Sequence, residues 1–157
     1  MNHSLTHRKA TINDLRSIIE LLVEDELGQT REQLSDTLDE RYIKAFNQIS
    51  NDPNQYLMVV DLNDKIVGTC HLTIIPSLTF QGSTRLLIEA VRVSSAHRGK
   101  KIGEWVMKQT VQFGESNGAS IMQLTTNKKR ADAKRFYERL GFNATHEGMK
   151  LYLKESL

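Results

Sequence analysis

The stretch that decides the fold reads LIEAVRVSSAHRGKKIGEWVM and occupies residues 87–107. Its first part is rich in β-branched residues and predicts a strand, whereas the part from Gly103 to about Asn117 predicts a helix. The loop between them contains Gly99 and three basic residues. These are Arg98, Lys100 and Lys101. Such a loop lets backbone amides converge at the positive end of a helix dipole, so it suits a phosphate or a pyrophosphate.

Two common phosphate loops do not match this stretch. Gly99 and Gly103 are four residues apart, which excludes the Gly-x-Gly-x-x-Gly pattern of dinucleotide-binding folds. The Gly-Lys-Ser/Thr ending of a Walker A loop is also missing. On these residues alone, a plain strand-to-helix turn with solvated basic side chains remains an alternative.

The composition is that of an ordinary globular domain. The 157 residues include 21 Lys+Arg and 19 Asp+Glu, and 39% are hydrophobic. This length predicts one domain over residues 1–157, and the net charge of +2 argues against a nucleic-acid partner. No apolar run approaches the roughly 20 residues of a membrane span, and the N-terminus lacks a signal-peptide core. The single cysteine, Cys70, fits a reducing compartment, so we expect a cytoplasmic protein without a membrane partner.

Hydrophobic spacing predicts four helices and seven strands. The helices begin near residues 15, 34, 103 and 133, and we expect Gly28 to end the first of them. Leu15, Ile18, Ile19 and Leu22 are spaced to form one apolar face of the first helix. The strands lie near residue 8 and at 56–62, 65–75, 86–93, 120–126, 142–145 and 149–153. Asn63 and Asp64 predict a hairpin turn between the second and third of these strands. Strands interleaved with helices predict a three-layer α/β domain on a mixed, mostly antiparallel sheet. The strands 86–93 and 120–126 are expected to be parallel neighbours, because a helix returns the chain between them.

Two motifs in register carry a family resemblance. Arg98 and Gly103 match the ends of Arg/Gln-x-x-Gly-x-Gly/Ala, the acetyl-CoA signature of the GNAT superfamily of N-acetyltransferases, and Lys101 stands at its middle glycine. Residues 125–142, TTNKKRADAKRFYERLGF, are similar to the later motif of the family. From Gln55 onwards the chain looks closest to the aminoalkylphosphonate N-acetyltransferases.

The resemblance implies a GNAT fold and a direct transfer of acetyl from acetyl-CoA to a primary amine of a small molecule, without an acyl-enzyme. A peptide or protein N-acetyltransferase is the alternative enzyme, and a non-catalytic CoA-binding regulatory domain is the alternative of another class. A homodimer paired through the last strand is a further expectation by analogy.

Glu89 is the candidate general base. It lies among apolar residues of a predicted strand, where burial would raise the pKa of a carboxyl group. By resemblance it occupies the position of the family base, which often acts through water. A salt bridge to Arg85 or Arg92 is the alternative role.

Tyr137 is the candidate general acid, since it matches the family tyrosine that approaches the sulfur of CoA. A core aromatic is the alternative role. Asn127 is expected to bind the pantetheine arm or to cap a turn. The resemblance places acetyl-CoA against a larger set of residues. They are Ala90, Val91, Arg92, Val93, Arg98, Gly99, Lys100, Lys101, Ile102, Gly103, Glu104, Asn127, Ala133 and Phe136.

Other chemistry-bearing residues fit structural roles. Neighbours on a strand point to opposite faces, so Cys70 and His71 are not expected to form a catalytic pair. His71 either faces the acceptor site or is a satisfied strand histidine, and His97 is expected at the surface. No metal-ligand spacing is present, so no metal is predicted. Residues 24–26, Glu-Asp-Glu, are a candidate for holding a cationic amine.

Overall fold

The computed structural model of the chain describes residues 4–154. Within them the strands are β1 (Leu5–Lys9), β2 (Gln55–Leu62), β3 (Lys65–Ile75), β4 (Thr84–Val93) and β5 (Ala119–Leu124). The helices of the same residues are α1 (Leu15–Val23), α2 (Glu26–Arg31), α3 (Glu40–Asn51), α4 (Thr79–Gly82), α5 (Ile102–Ser116) and α6 (Ala131–Arg139). Single 3-10 turns at Ile12–Asp14 and Ser95–His97 precede α1 and α5. No helix of this part of the chain is long and apolar enough to cross a membrane.

The strands form one sheet in the order β1-β2-β3-β4-β5, so β5 lies beside β4 as expected. The pairs β1–β2, β2–β3 and β3–β4 are antiparallel, which confirms a mostly antiparallel sheet. The β2–β3 hairpin turns at Asn63 and Asp64, whose φ values are 51° and 60°. Left-handed φ at both positions is what a two-residue hairpin turn requires, and the hairpin predicted there is confirmed.

One face of the sheet packs against α1 and α3. Leu57 and Val59 of β2 belong to a buried cluster with Ile18 and Ile19 of α1 and Phe46 of α3. The predicted spacing of apolar residues in α1 is therefore confirmed as the face that the helix buries. Burial of such side chains supplies about 1.5 to 3 kcal/mol each, which makes this cluster a main stabilising element.

The opposite face packs against α5. The Tyr56 ring of β2 lies against the Phe113 ring of α5, with 4.8 Å between the ring centroids. Leu86 of β4 approaches Gly114 so closely that a Cβ there would lie 3.2 Å from the leucine Cδ2. Helices on both faces make the predicted three-layer arrangement.

The strand prediction was wrong at the C-terminal end. The structure has no strand at 142–145 or 149–153 and has five strands among its described residues, where seven were expected. Met149, Leu151 and Leu153 are 94%, 86% and 86% exposed. Alternating apolar residues become a strand only when a neighbouring strand supplies hydrogen-bond partners. These side chains are exposed, so no packing surface favours a strand here.

The helix prediction was incomplete between residues 24 and 40. α1 ends at Val23, and Gly28 lies inside the additional helix α2 instead of ending α1. The next helix begins at Glu40 because the Asp39 carboxylate accepts a hydrogen bond from the Arg41 amide at 2.8 Å and caps the first turn. With the short α4, the described residues contain six helices, where about four were expected.

The chain divides after Gln123 into two compact units. The first contains β1 to β4, α1 to α5 and nearly all of β5, and the second contains α6. A single domain over residues 1–157 stays a prediction.

Candidate active site

β4 contains a bulge among the residues that were predicted to contact acetyl-CoA. Ala90 and Val91 of β4 stand opposite the single residue Cys70 of β3, and regular pairing returns at His71 and Glu89. Ala90 has a left-handed φ of 50°, which is unusual for a residue with a side chain. A bulge bends its strand and interrupts the ladder, so backbone groups of β4 become available to another partner.

Glu89 is exposed, contrary to the burial that the sequence predicted. The reason is the alternation along β4, because Leu86 and Ile88 are the buried side chains and Glu89 points to the other face. Desolvation is therefore no argument for a basic role of this carboxylate. Its position directly across from His71 on β3 is the feature that the structure adds.

His71 is half-buried and hydrogen-bonded. Its Nε2 lies 2.8 Å from Oε1 of Gln55 on β2. Burial lowers the pKa of the imidazole below its ordinary value of 6.5, while the charge of Glu89 acts to raise it. The burial effect is the larger, so His71 is neutral at neutral pH.

The loop after β4 leads into an uncapped helix N-terminus. Gly99 and Lys101 both have left-handed φ values, 77° and 60°. Lys101 directly precedes α5, and no side chain caps the first turn of this helix. Arg98, Lys100 and Lys101 are exposed. The free amides of the first turn and the three cations together make a site that an anionic group such as a pyrophosphate can bind.

The left-handed conformation at Lys101 leads to a prediction. Replacing Lys101 with glycine removes a Cβ from a left-handed residue, so we expect the free energy of unfolding to rise by about 1 kcal/mol. Lys100→Gly is the matched control, because Lys100 is also exposed but lies outside the left-handed region. The control removes the same charge and should lower stability. Urea unfolding of both variants tests this, and equal shifts in the two would contradict it.

The junction between α1 and α2 contacts the end of β4. The Glu24 carboxylate accepts a hydrogen bond from the Ser95 amide at 2.7 Å. Asp25 forms an ion pair with Arg92, with Nε and Oδ2 3.5 Å apart. Both carboxylates thus have partners within the protein, and their role in holding a cationic amine stays a prediction. Glu26 remains exposed in the first turn of α2.

The predicted site residues of the second unit lie on or before α6. Ala133, Phe136 and Tyr137 are half-buried residues of this helix. The Tyr137 ring makes edge contacts with Phe136 and Phe142, at centroid distances of 5.1 and 5.9 Å. Tyr137 is thus part of an aromatic cluster, and its role as an acid stays a prediction.

Asn127 caps a turn. Its Oδ1 accepts a hydrogen bond from the Lys129 amide at 2.9 Å, and its carbonyl oxygen accepts one from the Arg130 amide at 2.8 Å. The sequence left turn capping and pantetheine binding open, and the structure supplies the contacts of the first role.

The remaining candidate nucleophile is buried. Cys70 is buried, and burial raises the pKa of its thiol to about 12, so it carries no thiolate at neutral pH. Its partner on β2 is Met58 and that of His71 is Leu57, so the two side chains lie on opposite faces of the sheet, as predicted. His97 is half-buried. Among residues 4–154, no group of three or more His, Cys, Asp and Glu side chains is placed to hold a metal ion.

Comparison with known proteins supplies the family. The model of the acetyltransferase (GNAT) family matches residues 15–142. An aminoalkylphosphonate N-acetyltransferase of Salmonella typhimurium is 30% identical over 140 residues, which are 88% of this chain and 85% of that protein.

Two solved structures are similar over nearly the whole chain. A transcriptional regulator from Bacillus halodurans is 42% identical with a TM-score of 0.93, covering 96% of this chain and 100% of the other. A glucosamine-6-phosphate N-acetyltransferase from Arabidopsis thaliana is 26% identical with a TM-score of 0.76, covering 96% and 99%. With the bulged β4 and the uncapped α5 already in place, these matches mean that the chain belongs to the GNAT family of acetyltransferases, which use acetyl-CoA.

Proposed function

We propose that the protein transfers acetyl from acetyl-CoA directly to a primary amine of a small molecule. The observation that carries this proposal is the β4 bulge at Ala90 and Val91, followed by an uncapped α5. The interrupted strand precedes the uncapped helix in the sequence. The strand offers backbone groups to the pantetheine arm of CoA, and the helix N-terminus offers amides to its pyrophosphate. Glu89 lies directly before the bulge, where an acceptor amine would need a base.

The chain offers different groups to different parts of acetyl-CoA. Backbone amides and carbonyls of residues 90–93 would pair with the pantetheine arm, as an added strand does. The amides at the start of α5 and the side chains of Arg98, Lys100 and Lys101 would hold the pyrophosphate or the adenosine phosphate. By the family resemblance, Asn127, Ala133 and Phe136 are also proposed contacts of acetyl-CoA.

The transfer needs one base and one acid. The amine attacks the thioester carbonyl carbon after losing a proton toward Glu89, directly or through water. The C–S bond breaks as the tetrahedral intermediate collapses. The leaving thiolate takes a proton from the Tyr137 hydroxyl, and the second proton of the nitrogen restores that hydroxyl. Both substrates are bound together, so no acyl-enzyme forms.

The acceptor class follows from the names of the relatives. One relative is named for aminoalkylphosphonates and one solved structure for glucosamine 6-phosphate. Both names describe amines that also carry a phosphorus acid group. We propose an acceptor of this kind, a primary amine with a phosphonate or phosphate.

The test is release of free CoA thiol with a panel of amines. The panel contains aminoalkylphosphonates, amino-sugar phosphates, polyamines, aminoglycosides and short peptides. We expect turnover with one phosphorus-bearing amine, and a fall in kcat of about 100-fold or more in Glu89→Gln and in Tyr137→Phe.

The controls for this test are Glu20→Gln and Tyr152→Phe, which change an exposed carboxylate and an exposed phenol elsewhere. Their kcat should match that of the unchanged protein. Unchanged kcat in Glu89→Gln and Tyr137→Phe would overturn the two roles. Turnover of peptides alone would replace the small-molecule acceptor by a peptide.

A CoA-binding regulatory module is the second candidate. The observation that favours it is the transcriptional regulator from Bacillus halodurans, which is 42% identical to this chain. Calorimetric binding of CoA separates the two candidates. Binding without turnover of any amine in the panel would favour the regulatory module, whereas turnover would favour the enzyme.

A further inference from the structure

Three polar side chains form a hydrogen-bonded network that ends at β3. The Asp52 carboxylate accepts a hydrogen bond from Nε2 of Gln55 at 2.9 Å. The Gln55 Oε1 lies 2.8 Å from Nε2 of His71. The network thus links a carboxylate, an amide and an imidazole.

This network determines the tautomer of His71. A carboxylate only accepts hydrogen bonds, so Asp52 holds the NH2 end of the Gln55 amide and turns its oxygen toward His71. An amide oxygen also only accepts, so the His71 Nε2 must carry the hydrogen and donate it. In the neutral ring, Nδ1 is then left with a free lone pair. Within residues 4–154, His71 makes its hydrogen bond through Nε2.

The surroundings of His71 combine an apolar layer with one carboxylate. Its β2 partner is the buried Leu57, which packs with Ile18 and Phe46 of the covering helices. Its β4 partner is Glu89, directly across the strand pair and therefore on the same face. Among the described residues, Glu89 is the charged group that acts on the His71 pKa, and it stabilises the protonated ring.

We propose that Nδ1 of His71 receives the proton of the acceptor amine and that Glu89 stabilises the imidazolium formed there. This inference rests on the proposed function and deepens it, since it assigns the base to a pair of residues. An exposed carboxylate attracts the cationic amine, and a neutral imidazole with a fixed lone pair takes its proton. Asp52 and Gln55 are positioning residues, because they act only through His71.

The proton balance of the step is complete. The R–NH3+ group gives one proton to Nδ1, and its nitrogen lone pair forms the C–N bond with the thioester carbon. The intermediate loses a second N–H proton as the C–S bond breaks, and the leaving thiolate takes up one proton. The imidazolium then releases its proton to water. One proton is released for each ammonium group that is acetylated.

The first experiment determines the tautomer of His71 by NMR and does not depend on turnover. Long-range 1H–15N correlation spectra of the full 15N-labelled chain distinguish Nε2–H from Nδ1–H for each of its five histidines. The His71 signals are those that disappear in His71→Gln. We expect the Nε2–H form and a pKa below 6.5. A dominant Nδ1–H form, or an imidazole that is charged at pH 7, would overturn the proposal.

The second experiment reads the proton transfer. In His71→Gln we expect kcat to fall at least 100-fold with an unchanged KM for acetyl-CoA, and imidazole added to His71→Ala to restore part of kcat. The acidic limb of the kcat/KM profile, with its midpoint below pH 6.5, should disappear in His71→Gln. Asp52→Asn, which allows the Gln55 amide to turn over, should lower kcat by a smaller factor. His146→Gln changes an exposed histidine and is the control, with unchanged kinetics expected.

The outcomes separate this inference from the proposed function. Turnover by the unchanged protein with full kcat in His71→Gln overturns the inference and leaves the proposed function intact. Loss of kcat in Glu89→Gln alone means that Glu89 acts without His71 and also overturns it. Absence of turnover with every amine overturns both.

Discussion

Replacing Asp14 with alanine is expected to lower the free energy of unfolding by about 3 kcal/mol. The Asp14 side chain is 10% exposed and accepts hydrogen bonds from both terminal nitrogens of Arg8, at 2.7 and 3.0 Å. It also accepts bonds from the amide and hydroxyl of Thr11, at 2.7 and 3.1 Å. The variant leaves these donors without an acceptor where β1 meets α1. Asp61, whose carboxylate lies 3.1 Å from Nε of Arg8, compensates only in part.

The same network gives the stability a defined pH dependence. The hydrogen bonds from Arg8 hold the pKa of Asp14 at about 2, below its ordinary value of 3.8. A lowered native pKa means that the unfolded chain binds the proton more tightly. The contribution of Asp14 is therefore complete above about pH 4 and is lost as the pH falls toward 2. Urea unfolding between pH 2 and 6 measures this, and the slope should be smaller in Asp14→Ala.

Asp39 supplies the matched control for Asp14. Its pKa is also lowered to about 2, through hydrogen bonds from Arg41, but this ion pair lies at the surface. Solvent screens an exposed pair, so Asp39→Ala should cost clearly less than Asp14→Ala. Equal losses in the two variants would mean that burial of Asp14 contributes nothing.

The parts of the fold that were predicted correctly depend on local patterns. The spacing of Leu15, Ile18 and Ile19 determines which face of α1 is buried, and that face forms a buried cluster in the structure. The pair Asn63 and Asp64 tolerates left-handed φ and therefore places the β2–β3 turn. Both signals lie within a few residues of what they determine, so no distant partner has to be known.

The parts that were predicted wrongly depend on distant partners. The alternation at Met149 and Leu151 is typical of a strand, but a strand exists only where another strand pairs with it. Gly28 looks like a helix end, whereas its actual role is a close approach to the carbonyl oxygen of Leu22. The local spacing of residues indicates neither strand pairing nor a close approach of two backbone segments.

The candidate site divides in the same way. The loop and helix that contain Arg98 and Gly103 lie where the local motif predicts them, and the binding of acetyl-CoA by these residues stays a prediction. The exposure of Glu89 was missed, because it depends on how completely the helices on its face of the sheet cover β4. The link from His71 to Asp52 through Gln55 joins residues 16 and 3 positions apart, and no sequence pattern connects them.

Replacing Gly28 with alanine is expected to be as damaging as the loss of Asp14. A Cβ at Gly28 would lie 1.7 Å from the carbonyl oxygen of Leu22 and 2.9 Å from its carbon, so the backbone has to move. Overpacking of this kind costs about 3 kcal/mol, which exceeds the gain in helix propensity of about 1 kcal/mol. The movement also disturbs the bond from the Gly28 amide to Asp25, 2.5 Å long.

The effect of Gly28→Ala should extend to acetyl-CoA binding, because Glu24 at the α1–α2 junction holds Ser95 at the start of the loop that we propose as the pyrophosphate site. We expect a lower midpoint of thermal unfolding together with a several-fold higher KM for acetyl-CoA. Gln29→Ala changes an exposed residue of the same helix and should leave both values unchanged. Glu24→Gln separates the two effects, since it weakens the contact with Ser95 without crowding the junction. If Gly28→Ala lost stability while KM stayed constant in both variants, the junction would stabilise the fold without positioning the loop.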